Sequence, residues 1–167
     1  VADSNKRDYK QSLTFLLTLN FRRVIMGTRS NIAYEKPNGK ITVMYCHYDG
    51  YPEHNGQILN DHYNNQSKAH ALVDKGFQSG LKETLEKSTK DRVHQDPPQT
   101  YHSIHAFLMN VQSDIEWVYL FKNNEWHVAE YRYIELPNNN YTKEQLHTNN
   151  FVPLWSVLAK IKTEVSA

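Results

Sequence analysis

The chain has 167 residues, 39% of them hydrophobic and 22% charged, and it carries a formal net charge of +1. This length suits one domain with a single core, and the lone Cys46 excludes an intramolecular disulfide framework and favours a reducing compartment. The apolar run at 13–19 is far shorter than the roughly 20 residues of a membrane-spanning helix, so we expect a cytoplasmic protein without membrane contact.

The first 25 residues differ from the rest in charge. They hold five Lys or Arg against two Asp or Glu, so removing their +3 from the total of +1 leaves −2 for residues 26–167. Met26 opens a new segment, and Arg22-Arg23 before it would form a ribosome-binding sequence if encoded by AGG-AGG. We interpret 1–25 as an upstream-translated or poorly ordered extension and 26–167 as a single α+β domain. An amphipathic N-terminal helix is the alternative.

The domain is predicted to begin with an antiparallel hairpin. Residues 31–36 and 41–48 alternate between apolar and polar side chains, and the intervening Asn38-Gly39 pair suits a type I′ turn. Turn-forming residues fill 49–56, and a short helix with Leu59 on its apolar face should follow.

Further helices are expected in the middle of the chain. Ser67 is placed to cap a second helix and Gly76 to end it. Residues 82–99 are predicted to be a helical remnant followed by an exposed loop, and the apolar stripe in 101–111 indicates another helix.

A second hairpin and a last helix complete the prediction. Residues 114–122 and 125–134 flank Asn123-Asn124, with Trp117 and Trp126 expected in the core. Asn150 is placed to cap the last helix, whose inward residues should be Trp155, Leu158 and Ile161. The predicted fold is α+β, in which the two antiparallel hairpins form a roughly four-stranded sheet with helices packed on one face.

One tract, from Tyr45 to Gly56, concentrates polar functional groups in a turn, and His62 follows one short helix later. Because such groups are the ones that bind ligands and partners, we take eight of them as candidates for a binding site. They are His47, Tyr48, Asp49, Tyr51, Glu53, His54, Asn55 and His62.

Zinc is one ligand that this tract could bind, through His47, Asp49, His54 and His62. The spacing matches no established zinc pattern, and alternation along a strand should point Cys46 and His47 to opposite faces. We prefer a structural interpretation, in which glycines permit a tight turn and the His and Asn side chains bond to the loop.

Other catalytic and binding chemistry has less support in the sequence. Cys46 beside a histidine suggests a nucleophile, but nothing fixes the geometry that catalysis needs. His102 and His105, three residues apart, are expected to flank an apolar stripe rather than to act as a pair. The chain has no nucleotide-binding motif, and its charge of −2 over 26–167 without a basic stripe argues against nucleic acid as a partner.

A resemblance rests on three segments. These are Met-Gly-Thr-Arg-Ser from Met26, the tract Tyr-Cys-His-Tyr-Asp-Gly-Tyr-Pro-Glu-His-Asn-Gly, and the hairpin around 117–128. Together they resemble a family of small uncharacterised proteins of tailed bacteriophages, in which Trp is common at the position of Tyr48. The resemblance implies a phage accessory product acting in the bacterial cytoplasm, and it carries no active site over to this chain.

Three functions remain open from the sequence. The first is a non-enzymatic binder or inhibitor of a host protein or small signalling molecule, serving host takeover or anti-defence. The second is a small metal-dependent or histidine-based hydrolase that uses the region from His47 to His62. The third, a virion component, ranks last because the chain shows no repeat or oligomerisation segment.

Overall fold

A six-stranded mixed β-sheet forms the centre of the fold. The structure, a computed structural model, describes residues 27–90, 94–137 and 140–166, so the proposed extension at 1–25 lies outside the described residues. The sheet has the strand order β3-β2-β1-β4-β5-β8, and β6 and β7 form a separate two-stranded ribbon. The strands are β1 Arg29–Glu35, β2 Ile41–Cys46, β3 Gln99–Tyr101, β4 Ile115–Lys122, β5 Glu125–Glu130, β6 Tyr133–Leu136, β7 Asn140–Lys143 and β8 Val152–Pro153.

The α+β class and both hairpins are confirmed, but the plain four-stranded antiparallel sheet is wrong. β1 pairs with β2 and β4 with β5 in antiparallel fashion, whereas β1 and β4 run parallel, with Ile32 opposite Tyr119. A parallel pair requires a long crossover connection, and the helices between β2 and β4 provide one. Two short strands, β3 and β8, extend the sheet at its edges.

The two hairpin turns differ in type. Asn123 and Asn124 have φ angles of 52° and 59°, as a type I′ turn requires. In the first hairpin only Gly39 of the Asn-Gly pair has a positive φ, of 76°. Its N–H donates to Lys36 O at 2.9 Å, so Pro37 and Asn38 form the turn and Gly39 is the left-handed residue after it. The predicted type I′ turn is therefore wrong for the first hairpin.

Five α-helices lie in the described part of the chain, and they are α1 Gln57–His62, α2 Gln66–Val73, α3 Leu85–Lys90, α4 Ile104–Met109 and α5 Leu154–Val165. Asn65, rather than Ser67, caps α2, since its Oδ1 accepts from Lys68 N at 3.0 Å. Asn150 lies in a 3₁₀ turn and α5 begins after Pro153, so the predicted Asn150 cap is also wrong. Tyr101 ends β3 instead of beginning a helix.

Apolar side chains cover both faces of the sheet. On the first face, Ile32 and Tyr119 pack against residues of α1, α2 and α5. On the second face, Ala33 and Val118 pack against Phe107 of α4 and the segment around 146–151. Strand β4 has apolar side chains on both sides, with Tyr119 on the first face and Val118 on the second, and both sides must therefore be covered. The expectation of helices on one face only is wrong for this reason.

The tryptophans are placed only partly as predicted. Trp126 is buried and its Nε1 donates to Tyr63 O at 2.9 Å, and Trp117 is partly buried against the same core. In α5 the predicted inward positions of Leu158 and Ile161 are confirmed, since Leu158 is buried and Ile161 packs partly buried against the core, whereas Trp155 is 58% exposed and its predicted position is wrong. No helix in the described ranges has the length and apolar character needed to cross a membrane.

Candidate functional site

The polar tract at the end of β2 divides between the two faces of the sheet. Cys46 is fully buried in the core of the first face. The Tyr45 ring packs on the second face, where its hydroxyl lies 2.8 Å from His47 Nδ1. The predicted separation of Cys46 and His47 follows from strand alternation and is what the structure shows.

Asn55 ties the tract to the core. Its side chain is fully buried, and Nδ2 lies 3.3 Å from both Cys46 Sγ and Tyr48 O and 3.5 Å from Ser30 Oγ. Its Oδ1 is 3.0 Å from His54 Nδ1. A buried carboxamide with partners on several segments holds a loop in one conformation. Asn55 is therefore a structural anchor.

Gly50 allows the turn to lie directly against β1. Its N–H donates to Thr28 O at 2.8 Å, and its carbonyl accepts from the hydroxyl of the fully buried Tyr119 at 2.8 Å. A Cβ at this position would lie 2.8 Å from Thr28 O and 2.9 Å from Arg29 C. Backbone packed this closely leaves room for no residue but glycine.

The remaining candidates of the tract point outward or bond locally. Tyr48, Asp49, Glu53 and His62 are exposed, and Tyr51 and His54 are half-buried. Among the described residues, no three His, Cys, Asp or Glu side chains are placed to hold a metal ion. The geometry gives the zinc hypothesis no support, and the contacts of Asn55 and Gly50 are those of a structural turn.

The possible nucleophile and the second histidine pair also lack the geometry for catalysis. Burial raises the pKa of the Cys46 thiol from its ordinary 9.0 to about 11, so the sulfur stays protonated and is a poor nucleophile at neutral pH. His102 and His105 are both exposed.

A cleft of about 520 Å³ lies on the second face of the sheet. β1, β2 and β3 contribute Asn31, Tyr45 and Tyr101 to its lining, and Phe107 of α4 also belongs to it. Phe77 and Pro97, from the segments before α3 and before β3, line it as well. Clefts of about 300–1,000 Å³ are the usual sites of small-molecule binding.

Aromatic rings form two sides of this cleft. Tyr45 stacks on Phe77 with ring centroids 5.5 Å apart and planes at 25°. Tyr101 and Phe107 form a second pair at 5.5 Å and 41°. Burial raises the pKa of both phenols, Tyr45 and Tyr101, so both remain neutral at physiological pH and can donate and accept hydrogen bonds.

Four carboxamides complete the lining, and they are Asn31, Gln99, Asn110 and Gln112. Gln99 Oε1 accepts from the Tyr101 hydroxyl at 2.8 Å, and Asn110 Nδ2 donates to Ala106 O at 2.7 Å. Within the part of the chain that the structure describes, no further hydrogen bond engages the Gln99 amino group or the Asn110 side-chain carbonyl, so both can bond to a ligand.

The sequence predictions missed this cleft. Asn31 lies opposite Tyr45, on the side of β1 that also carries Arg29, Ala33 and Glu35, so a polar residue at this position does not stand out in the sequence. The cleft also depends on β3, whose first residue falls in a predicted exposed loop, and on the packing of α4 over the sheet.

No protein-family model matches this chain, and searches of curated proteins and of solved structures also found no match.

Proposed function

We propose that this chain is a non-enzymatic binding protein that holds a small molecule in the cleft on the second face of its sheet. The observation that carries the proposal is the cleft itself, about 520 Å³ in volume and lined by aromatic rings and carboxamides. Apolar surface supplies affinity in such sites, and a few fixed polar groups supply specificity.

The chemistry of the lining supports binding over turnover. Phenols and carboxamides recognise a ligand by hydrogen bonds but are weak nucleophiles and weak bases near neutral pH. The most nucleophilic side chain nearby, Cys46, is buried on the opposite face with its pKa raised to about 11. A hydrolase that used His47, Asp49, His54 and His62 would need these groups to converge. The hydrogen-bond partner of His54 is instead the carboxamide of Asn55, which is not a reacting group.

The biological setting in this proposal rests on the resemblance to proteins of tailed bacteriophages. On that basis the bound molecule is a small signalling molecule of the bacterial host, and its removal from the cytoplasm during infection is the function. Sequestration requires affinity without catalysis, which agrees with the lining described above.

Native mass spectrometry of the full chain, purified gently from a bacterial host, tests the proposal. We expect an additional small mass on the wild type that Asn31→Leu loses, because that change removes hydrogen-bonding groups from the floor of the cleft. Asn64→Leu is the matched control, since Asn64 is exposed and follows α1 on the other face. A mass retained by Asn31→Leu, or apo protein throughout, would contradict binding in this cleft. A zinc mass would favour the metal-dependent hydrolase.

A second candidate function is binding of a host protein through the β6–β7 ribbon. Tyr133 and Tyr141 are 59% and 62% exposed, and Ile134 and Leu136 are 41% and 40% exposed. Several exposed apolar side chains on one short ribbon are typical of protein interfaces. A photo-crosslinking residue at position 141 should capture the partner during infection, whereas the same residue at the highly exposed Val165 should not. Equal capture at both positions would rule out the ribbon.

A further inference from the structure

We infer that the cleft takes an uncharged, planar heteroaromatic molecule with hydrogen-bonding groups on its edge, the chemistry of a nucleobase or nucleoside. This inference rests on the proposed function and narrows its ligand to one class. Three features of the cleft support it, namely its aromatic walls, its carboxamides and its charge.

The aromatic walls favour a flat ligand. Tyr45 and Phe77 stack on each other with planes at 25°, and because Phe77 is buried, the partly exposed Tyr45 ring is the aromatic surface that this pair offers to a ligand. In the second pair Tyr101 is likewise partly exposed beside the buried Phe107. Nucleic-acid bases stack on such surfaces, because every base has a π-face.

The carboxamides favour a ligand with mixed donors and acceptors. Asn31 and Gln112 each offer both a carbonyl and an amino group, because no hydrogen bond from either side chain occurs within the described residues. Gln99 offers its amino group and Asn110 its carbonyl. Side-chain amides pair with the edges of bases through this alternation of donor and acceptor. A purely apolar ring would leave these groups without partners at a cost in affinity.

The charge of the cleft disfavours phosphate. Among the described residues that line it, Asp96 has the one carboxylate and none is Lys or Arg. Arg29 acts on the Tyr45 phenol but does not line the cleft, and its guanidinium is paired with Asp114 at 3.4 Å. Among the described lining residues a phosphate would therefore meet a carboxylate and no cation, whereas sites for nucleotides normally supply a cation.

The experiment is a titration of the full chain with adenosine, guanosine, cytidine and uridine, and with their 5′-monophosphates, followed by ligand-detected NMR and calorimetry. We expect at least one nucleoside to bind with a Kd below about 1 mM, and its monophosphate to bind roughly tenfold more weakly because of Asp96. Asn31→Leu and Gln112→Ala should each weaken nucleoside binding by roughly tenfold, the effect of one hydrogen bond. Asn64→Leu should leave it unchanged.

Three results would overturn the inference. They are no binding of any nucleoside, binding of a monophosphate at least as tight as that of its nucleoside, and binding that both cleft variants retain. Gln112 is exposed, so its variant keeps the test valid if Asn31→Leu fails to fold. A co-purified molecule that is lost in Asn31→Leu but is not heteroaromatic would overturn the ligand class and leave the proposed function standing. Absence of both the co-purified molecule and nucleoside binding would overturn both.

Discussion

Replacing Asn55 with alanine should destabilise the protein strongly. The Nδ2 group has two hydrogens and three neighbouring acceptors, Cys46 Sγ, Tyr48 O and Ser30 Oγ, at 3.3, 3.3 and 3.5 Å, so it makes at most two hydrogen bonds at a time. The side chain is fully buried. In the variant, a water could take over its hydrogen bonds only if the truncation left a cavity large enough to hold one.

The magnitude follows from the number of partners left unsatisfied. Each buried acceptor that loses its donor costs about 1–3 kcal/mol, and a sulfur acceptor should lie at the low end of this range. We therefore expect the free energy of unfolding to fall by about 2–4 kcal/mol for Asn55→Ala, which corresponds to a loss of roughly 5–15 °C in Tm for a chain of this size.

Urea unfolding followed by tryptophan fluorescence measures this effect, and a double-mutant cycle with His54→Ala apportions it. His54 is half-buried and bonds Asn55 through one ring nitrogen, so His54→Ala alone should cost about 1 kcal/mol and the pair should show coupling of about 1 kcal/mol. Asn55→Ala could instead lower the free energy of unfolding by less than about 0.5 kcal/mol and abolish ligand binding. That result would refute the structural role of the turn and would favour the turn as the binding site.

Three further predictions concern stability. The free energy of unfolding should fall by up to about 3 kcal/mol between about pH 9 and pH 11, because the unfolded chain releases the Cys46 proton at lower pH than the folded chain, in which the pKa of this thiol is about 11. Urea titrations against pH should show a shallower fall for Cys46→Ser. Gly50→Ala should lower the free energy of unfolding by about 3 kcal/mol, because the added Cβ would meet Thr28 O. Gly80→Ala, where an added Cβ meets nothing, should leave the free energy of unfolding unchanged or raise it by about 0.5 kcal/mol in thermal melts. In α5, Leu158→Ala should cost about 3 kcal/mol and Trp155→Ala less than about 1 kcal/mol by urea unfolding.

The parts of the fold that depend on neighbouring residues could be predicted from the sequence. Each hairpin joins two strand-forming segments by a short turn, so the residues that indicate the strands and those that form the turn lie within a few positions of each other. The parallel pairing of β1 with β4 joins Ile32 to Tyr119 across the helices, and no local pattern encodes such a contact. The strand β3 has three residues, too few for alternation to be recognised.

The site shows the same division between local and distant information. Strand alternation correctly separated Cys46 from His47. It could not show that Asn55 is fully buried, because asparagine in a glycine-rich tract is also what an exposed turn contains. The cleft escaped prediction because its walls come from five segments that meet only in the folded chain.

The structural turn and the cleft are nevertheless connected through the backbone. The segment that carries Phe77 is paired to the end of β2, since Gln78 N–H donates to Tyr45 O at 2.9 Å and His47 N–H donates to Gln78 O at 3.0 Å. The same pairing continues into the turn, where Tyr48 N–H donates to Ser79 O at 2.9 Å, and Asn55 holds Tyr48 O. The turn thus fixes the strand end that presses Tyr45 against Phe77. Asn55, which the sequence predicts as a binding residue, therefore belongs to a hydrogen-bond network that reaches the Tyr45–Phe77 pair of the cleft.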